Sequence, residues 1–120
     1  MSKEEIDKNL QGKGDFVRID HLSELLKENL PLETKKFVCL KLADIYEGRG
    51  MLVDAAKVYE SLGIAAVAFS EKMKYYVKET ELLIRAGEFD RADMAMKKAT
   101  GLGNASEKNE VYFAIKEFYK

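Results

Sequence analysis

Gly50 and Ala55 stand five residues apart, and 37 residues further on Gly87 and Ala92 repeat that spacing. The first pair lies in LADIYEGRGMLVDAAKVYESLG (42–63), the second in IRAGEFDRADMAMKKA (84–99). A glycine that stops one helix, followed by a small residue in the first turns of the next, is the punctuation of a helical hairpin. One such hairpin cannot bury its own apolar face, so two in the same register predict a stacked array. That architecture points to a binding module rather than a catalyst.

The remaining chain agrees with an all-α fold. Its 120 residues suit one domain, and 47% hydrophobic against 34% charged residues, with a single Pro, describe a globular chain of helix-compatible residues. Residues 1–18 are polar and glycine-interrupted and read as a lead-in, with Phe16, Val17 and Ile19 tucking against the body; a single helical domain is expected over 19–120. Asp20 is the expected N-cap of a helix with Leu22, Leu25, Leu26 and Leu30 on one stripe, interrupted by Pro31. Phe37, Val38, Leu42, Ile45 and Tyr46 carry the next helix to Gly48 and Gly50. Leu52, Ala55, Ala56, Tyr59 and Leu62 carry its partner to Gly63. The stretch 64–86 reads as one long helix, bent near Ser70 and stopped by Gly87. Phe89, Ala92, Met96 and Ala99 define another, ended by Gly101 and Gly103, and Ser106 caps a last one reaching Tyr119. Six helices and no strands are expected.

Composition narrows the function. Twenty basic against 21 acidic side chains provide no net field for nucleic acid or an anionic membrane. Cys39 and His21 are each the only residue of their kind, which precludes an internal disulfide and leaves a four-ligand zinc site without ligands. A reducing cytoplasm is the expected compartment. The apolar run Leu62–Phe69 is less than half a bilayer span, and MSKEEIDKNL has no signal-peptide core. Lys72, Lys74 and Lys78 interleave with Tyr75 and Tyr76 in a pattern that can contact phosphates and bases. The surrounding acids cancel that patch, so nucleic acid is not the expected partner. Cys39, among Val38, Leu40 and Leu42, reads as a buried hydrophobe and His21 as a surface residue. Glu4, Glu5 and Asp7 form a solvated run, and Gly12-Lys13-Gly14 and Gly48-Arg49-Gly50 lack the Lys-Ser/Thr ending of a phosphate loop. No catalytic residue, cofactor site or metal site is expected.

Cys39, Leu42, Ala43 and Tyr46, followed by Ala55 and Tyr59, resemble the tetratricopeptide pattern of a large residue, Leu-Gly and Tyr on one helix and Ala and Phe on its partner. A second copy uses Tyr76, Thr80 and Leu83, then Ala92 and Met96, with Glu79 in place of leucine. A third first arm is Tyr112, Ile115 and Tyr119, with Lys116 at the small position. The markers Tyr46, Leu83 and Tyr119 are 37 and 36 residues apart, longer than the family's usual 34. Val67 and Asn104 stand where its prolines would. The longer period is also similar to the soluble NSF attachment proteins.

The resemblance implies a concave face lined by the first arms. Helical spacing places Phe37, Leu40, Asp44 and Glu47 on it, then Lys74, Val77, Glu81 and Ile84, then Glu110, Phe113, Glu117 and Lys120. Such a groove would be apolar with acidic rims and would favour a basic amphipathic or extended segment of another protein. Asp44 and Glu81 stand where carboxylate-capturing members of the family carry basic and amide residues, which argues against a peptide C-terminus as ligand. The expected function is a non-catalytic adaptor. The alternatives are self-assembly through the last helix, which offers Phe113, Ile115, Phe118 and Tyr119, and RNA association through the lysines.

Overall fold

The repeated glycines adopt the same left-handed conformation, φ 75° at Gly50 and 77° at Gly87, in the computed structural model of the chain. Each closes its helix with a pair of backbone hydrogen bonds. The Met51 N–H donates to the Tyr46 carbonyl and the Glu88 N–H to the Leu83 carbonyl, both at 2.8 Å; the Gly50 and Gly87 N–H groups donate to Glu47 and Ile84 at 3.0 Å. This is the Schellman arrangement, which satisfies carbonyls that the helix end would otherwise orphan. A side chain with Cβ is strained at such a φ, so glycine is what the hinge requires.

Residues 2–101 and 105–119 are described, with side chains except at 105–107 and 110–112. They form seven helices: α1 (Lys3–Leu10), α2 (Asp15–Leu25), α3 (Leu32–Gly48), α4 (Leu52–Ala65), α5 (Phe69–Arg85), α6 (Phe89–Thr100) and α7 (Ala105–Phe118). No strand occurs among the described residues. Helices α2, α4 and α6 begin at residues 15, 52 and 89, and α3 and α5 at 32 and 69, so each step is 37 residues. The register extends into the packing. Ile6, Ala43 and Thr80, spaced by the same step, are all fully buried, and so are Leu25, Leu62 and Ala99 to within a few per cent.

The N-terminal segment differs from the sequence expectation. Residues 3–10 are helical, and the Ser2 hydroxyl caps α1 by accepting the Glu5 N–H at 3.2 Å while donating to the Glu5 carboxylate at 3.3 Å. Ser-x-x-Glu at a helix start is a capping-box spacing. Ile6 and Leu10 then bury the inner face of α1. Helix α2 begins at Asp15 rather than after Asp20, with Gly14 at its N-cap, and Phe16 and Val17 stay exposed. Only Ile19 of the three residues expected to tuck inward packs against the core. The Arg49 guanidinium stacks over the exposed Phe16 ring, 4.7 Å from its centroid.

Nor does Gly63 end α4, which continues through it to Ala65. Gly63 is buried, and a Cβ there would overlap the Tyr76 ring. Its role is close approach between α4 and α5. Extended backbone at Ala66 and Ala68 then separates the two, so 64–86 is not one long helix. The Lys72 ammonium donates to the Gly63 and Ile64 carbonyls at 2.8 and 3.1 Å, satisfying the last turn of α4. Gly101 caps α6 as expected, whereas Gly103 lies outside the described residues.

From α2 onward each helix packs on the next in chain order, and α5 also meets α7. Ion pairs join alternate helices. Asp7 of α1 meets Lys41 of α3 at 2.8 Å, Lys36 of α3 meets Glu71 of α5, and Glu47 of α3 meets Arg85 of α5 at 2.9 Å. Glu60 of α4 meets Lys98 of α6 at 3.2 Å. Small residues, Ala43, Ala55, Ala56, Ala92 and Ala95, sit fully or almost fully buried where the helices cross. Helix α3 serves two apolar clusters, with Val38 and Leu42 against α1 and α2, and Cys39 and Ala43 in the cluster shared with α4 and α5. The radius of gyration, 15.2 Å, exceeds the value of about 13.6 Å for a compact domain of this length, and the extents are 44 × 29 × 18 Å. The core comprises two apolar clusters that meet at α3.

Candidate interaction groove

Helices α3 and α5 run in the same direction, because Lys36 and Glu71 meet near their starts and Glu47 and Arg85 near their ends. Between them is an open groove of about 390 Å³ lined by Leu40, Tyr59, Lys74, Tyr75, Val77, Lys78 and Glu81. Four of these, Leu40, Lys74, Val77 and Glu81, are residues that helical spacing assigned to a common face. Tyr59 reaches in from α4, and its ring lies 6.2 Å from that of Tyr75 at a tilt of 38°. The Tyr75 hydroxyl donates to Glu71 at 3.1 Å.

Charge in the groove is largely paired internally. Lys78 contacts Glu81 at 2.9 Å and Glu47 at 3.4 Å. The hydrogen bond from Arg85 holds the Glu47 carboxyl below its ordinary range, against the opposing effect of burial and with help from Lys78. Burial disfavours the charged form of Lys78, but Glu81 and Glu47 outweigh it and raise its pKa. Burial pushes the Tyr59 phenol up; Lys78 opposes this, and Asp44, Glu47 and Glu81 add to it. Asp44 itself is exposed, one turn beyond Leu40, and has no ion pair among the described residues.

The other expected face residues lie elsewhere. Phe37 packs into the cluster with α1, its ring flanked by the Lys3 and Lys41 ammonium groups at 5.7 and 5.4 Å. Ile84 is buried in the core. At 3.6 residues per turn it is rotated by about 80° from Lys74 on the helix, enough to turn it inward. Phe113, 71% exposed, lines a separate cavity of about 420 Å³ with Met96, Asn109, Ile115, Lys116 and Tyr119. Glu117 is exposed on α7, away from the groove lining, and the side chain of Glu110 and the whole of Lys120 lie outside the described residues. The three lysines considered for RNA do not assemble into a patch. Lys72 caps α4, Lys78 is held by two carboxylates, and Lys74 alone is exposed.

Sequence reasoning missed a second cluster. Glu79 is only 4% exposed and receives hydrogen bonds from Lys98 at 3.1 and 3.3 Å. Lys98 also meets Glu60 and lies 4.7 Å from the centroid of the Tyr76 ring. Burial raises the pKa of Glu79, with Lys98 opposing; for Lys98, burial is outweighed by Glu79 and Glu60, which raise it. An opposite charge 19 residues away, on the next helix, was the available signal. Also missed was the surface position of the apolar run, where Val67 is 87% exposed and lines a cleft of about 320 Å³ with Leu32, Ala66 and Ala68.

Burial pushes the Cys39 thiol up, which makes it a poor nucleophile at neutral pH. His21 is partly buried rather than fully exposed, and its Nε2 has no hydrogen-bond partner among the described residues. Among the described residues no three His, Cys, Asp or Glu side chains are grouped to hold a metal, and no helix is long and apolar enough to cross a membrane. No family model, curated protein or solved structure matches the chain.

Proposed function

We propose that the chain is a tetratricopeptide-like array of helical hairpins that works as a non-catalytic adaptor, holding a segment of a partner protein in the groove between α3 and α5. The observation that carries this reading is the groove itself: Leu40 and Val77, on parallel helices, line an open channel floored by Tyr59 and Tyr75. Support for the array comes from the common step of 37 residues in helix starts, glycine hinges and buried positions. A rigid scaffold with tyrosines and aliphatic side chains in a concave site suits protein recognition, in which aromatic residues anchor a partner at little entropic cost. The buried free thiol of Cys39 fits a reducing compartment such as the cytoplasm.

A photo-crosslinking amino acid at Leu40 tests the assignment. A discrete adduct from Leu40, absent when the probe is moved to exposed Ser61 on α4 and lost with Val77→Asp, is the expected result. Equal labelling from both positions overturns it. A second reading, self-association through α7, is favoured by the exposure of Phe113 and Tyr119 beside the cavity on that helix. Sedimentation that stays monomeric at high concentration removes it.

A further inference from the structure

Two charged side chains at the groove, of opposite sign and at opposite ends, form no ion pair among the described residues: Asp44 and Lys74. Toward the ends of α3 and α5, Lys78 is held by Glu47 and Glu81 and Arg85 by Glu47, while exposed Asp44, one turn beyond Leu40 and acting on the Tyr59 phenol, has no ion pair among the described residues. Toward the starts, Lys36 is paired with Glu71; exposed Lys74, one turn along α5, also acts on the Glu71 carboxylate but forms no ion pair of its own among the described residues. Leu40, Val77 and Tyr75 lie between these ends. The step of 37 residues places Lys74 level with Phe37 on the parallel helix, seven residues before Asp44. At 1.5 Å per residue Lys74 and Asp44 are about 10 Å apart along the groove.

We propose that the groove selects a partner segment carrying an acidic and a basic side chain about 10 Å apart across apolar residues, with the acid at Lys74 and the base at Asp44. The inference rests on the protein-binding reading and replaces the uniformly basic partner that the sequence suggested. Glu47 and Glu81 are already neutralised, so a second cation would gain little from them and would meet Lys74. A second anion would meet Asp44. Like charges brought together penalise the wrong partner more than matched charges reward the right one, which makes this pattern a specificity device. In a polyproline-II segment the required spacing is about three residues, at roughly 3.1 Å each, and its three-residue turn returns both charged side chains to the same face.

Three short fluorescein-labelled peptides with the same central leucine pair test the proposal: Glu before and Lys after, Lys on both sides, and Glu on both sides. Anisotropy titrations with the full chain at an ionic strength of about 0.15 M, where exposed charges are screened beyond roughly 8 Å, read their ranking. The mixed peptide is expected to bind about tenfold more tightly than either uniform one, a difference of about 1.4 kcal/mol. Lys74→Glu should move the preference to the Lys-Lys peptide and Asp44→Lys to the Glu-Glu peptide. Both positions are exposed, and circular dichroism checks that the fold is kept. A wild-type preference for a uniform peptide, no binding of any peptide, or a ranking unmoved by both substitutions overturns the proposal. If Leu40→Ser abolishes all binding while the charge variants leave the ranking unchanged, the charge pattern falls and the groove stands. If crosslinking from Leu40 also fails, the groove falls with it.

Discussion

The ammonium of Lys98 on α6 lies 3.1 Å from the carboxylate of Glu79 on α5, in a site where Glu79 is almost wholly removed from solvent. Equivalent positions one step earlier are occupied by Leu42 and Ser61, so the ion pair takes a place that an apolar side chain fills in the preceding hairpin. Desolvation offsets much of what such a pair gains, and a well-packed apolar replacement is often as stable. The same pair is costly to break from one side. Lys98→Met is expected to lower stability by about 1–3 kcal/mol because a buried acceptor loses its donor. Glu79→Leu combined with Lys98→Met should recover most of that loss. Urea unfolding of the two single variants and the double variant measures it, and a double variant no more stable than Lys98→Met contradicts the account.

The raised pKa of Glu79 and the lowered pKa of Glu47 have opposite consequences for stability against pH. Native Glu79 keeps a proton that the unfolded chain releases above about pH 4.3. Its contribution is therefore fully present below that pH and is lost as pH rises through the raised native value. Glu47 contributes above about pH 4.3 and loses its contribution as pH falls through its lowered native value. Carboxyl-resolved NMR titration should place the midpoint of Glu79 above the ordinary glutamate value and that of Glu47 below it. Glu79→Gln should flatten the decline in stability on the neutral side of that window, read from unfolding midpoints across pH.

Gly50→Ala and Gly87→Ala should each cost about 1–2 kcal/mol, since both force a Cβ into the left-handed region. Similar costs are expected at the two hinges because their hydrogen bonds are the same. Gly63→Ala should cost about 1–3 kcal/mol for another reason, overpacking against the Tyr76 ring. Gly48→Ala, in helical conformation with open space at its Cβ, should stabilise by roughly 0.5–1 kcal/mol. Thermal melts of the four variants decide between a backbone role and a packing role at each glycine.

Ser2→Ala should remove the cap of α1 and cost about 0.5–2 kcal/mol. The loss belongs to the first hairpin. Hydrogen exchange is expected to accelerate in α1, where Ile6 and Leu10 are the only buried side chains, and to stay unchanged in α5. Uniform acceleration along the chain would show that α1 is not a separately fraying element.

The helical class, the two glycine hinges and most buried positions of α3 to α6 were legible because they depend on local spacing and turn chemistry. Lys74, Val77 and Glu81 share a helix face for the same reason, whereas placing Leu40 beside them rested on the tetratricopeptide resemblance. Helix α1 was not read, since a single pair of apolar residues gives little periodicity, although Ser2 and Glu5 carried its start signal. Gly63 was misread as a terminator because sequence does not distinguish a glycine needed for φ from one needed for close approach.

Where the backbone turns and which side of each helix is apolar follow from the order of residues alone, since near neighbours set φ, capping and period. Which charges are already neutralised emerges only once the helices have packed. Whether Lys78 finds Glu47 or Lys98 finds Glu79 depends on how distant helices align, and the strength of a charge pair is fixed by distance and desolvation across that alignment.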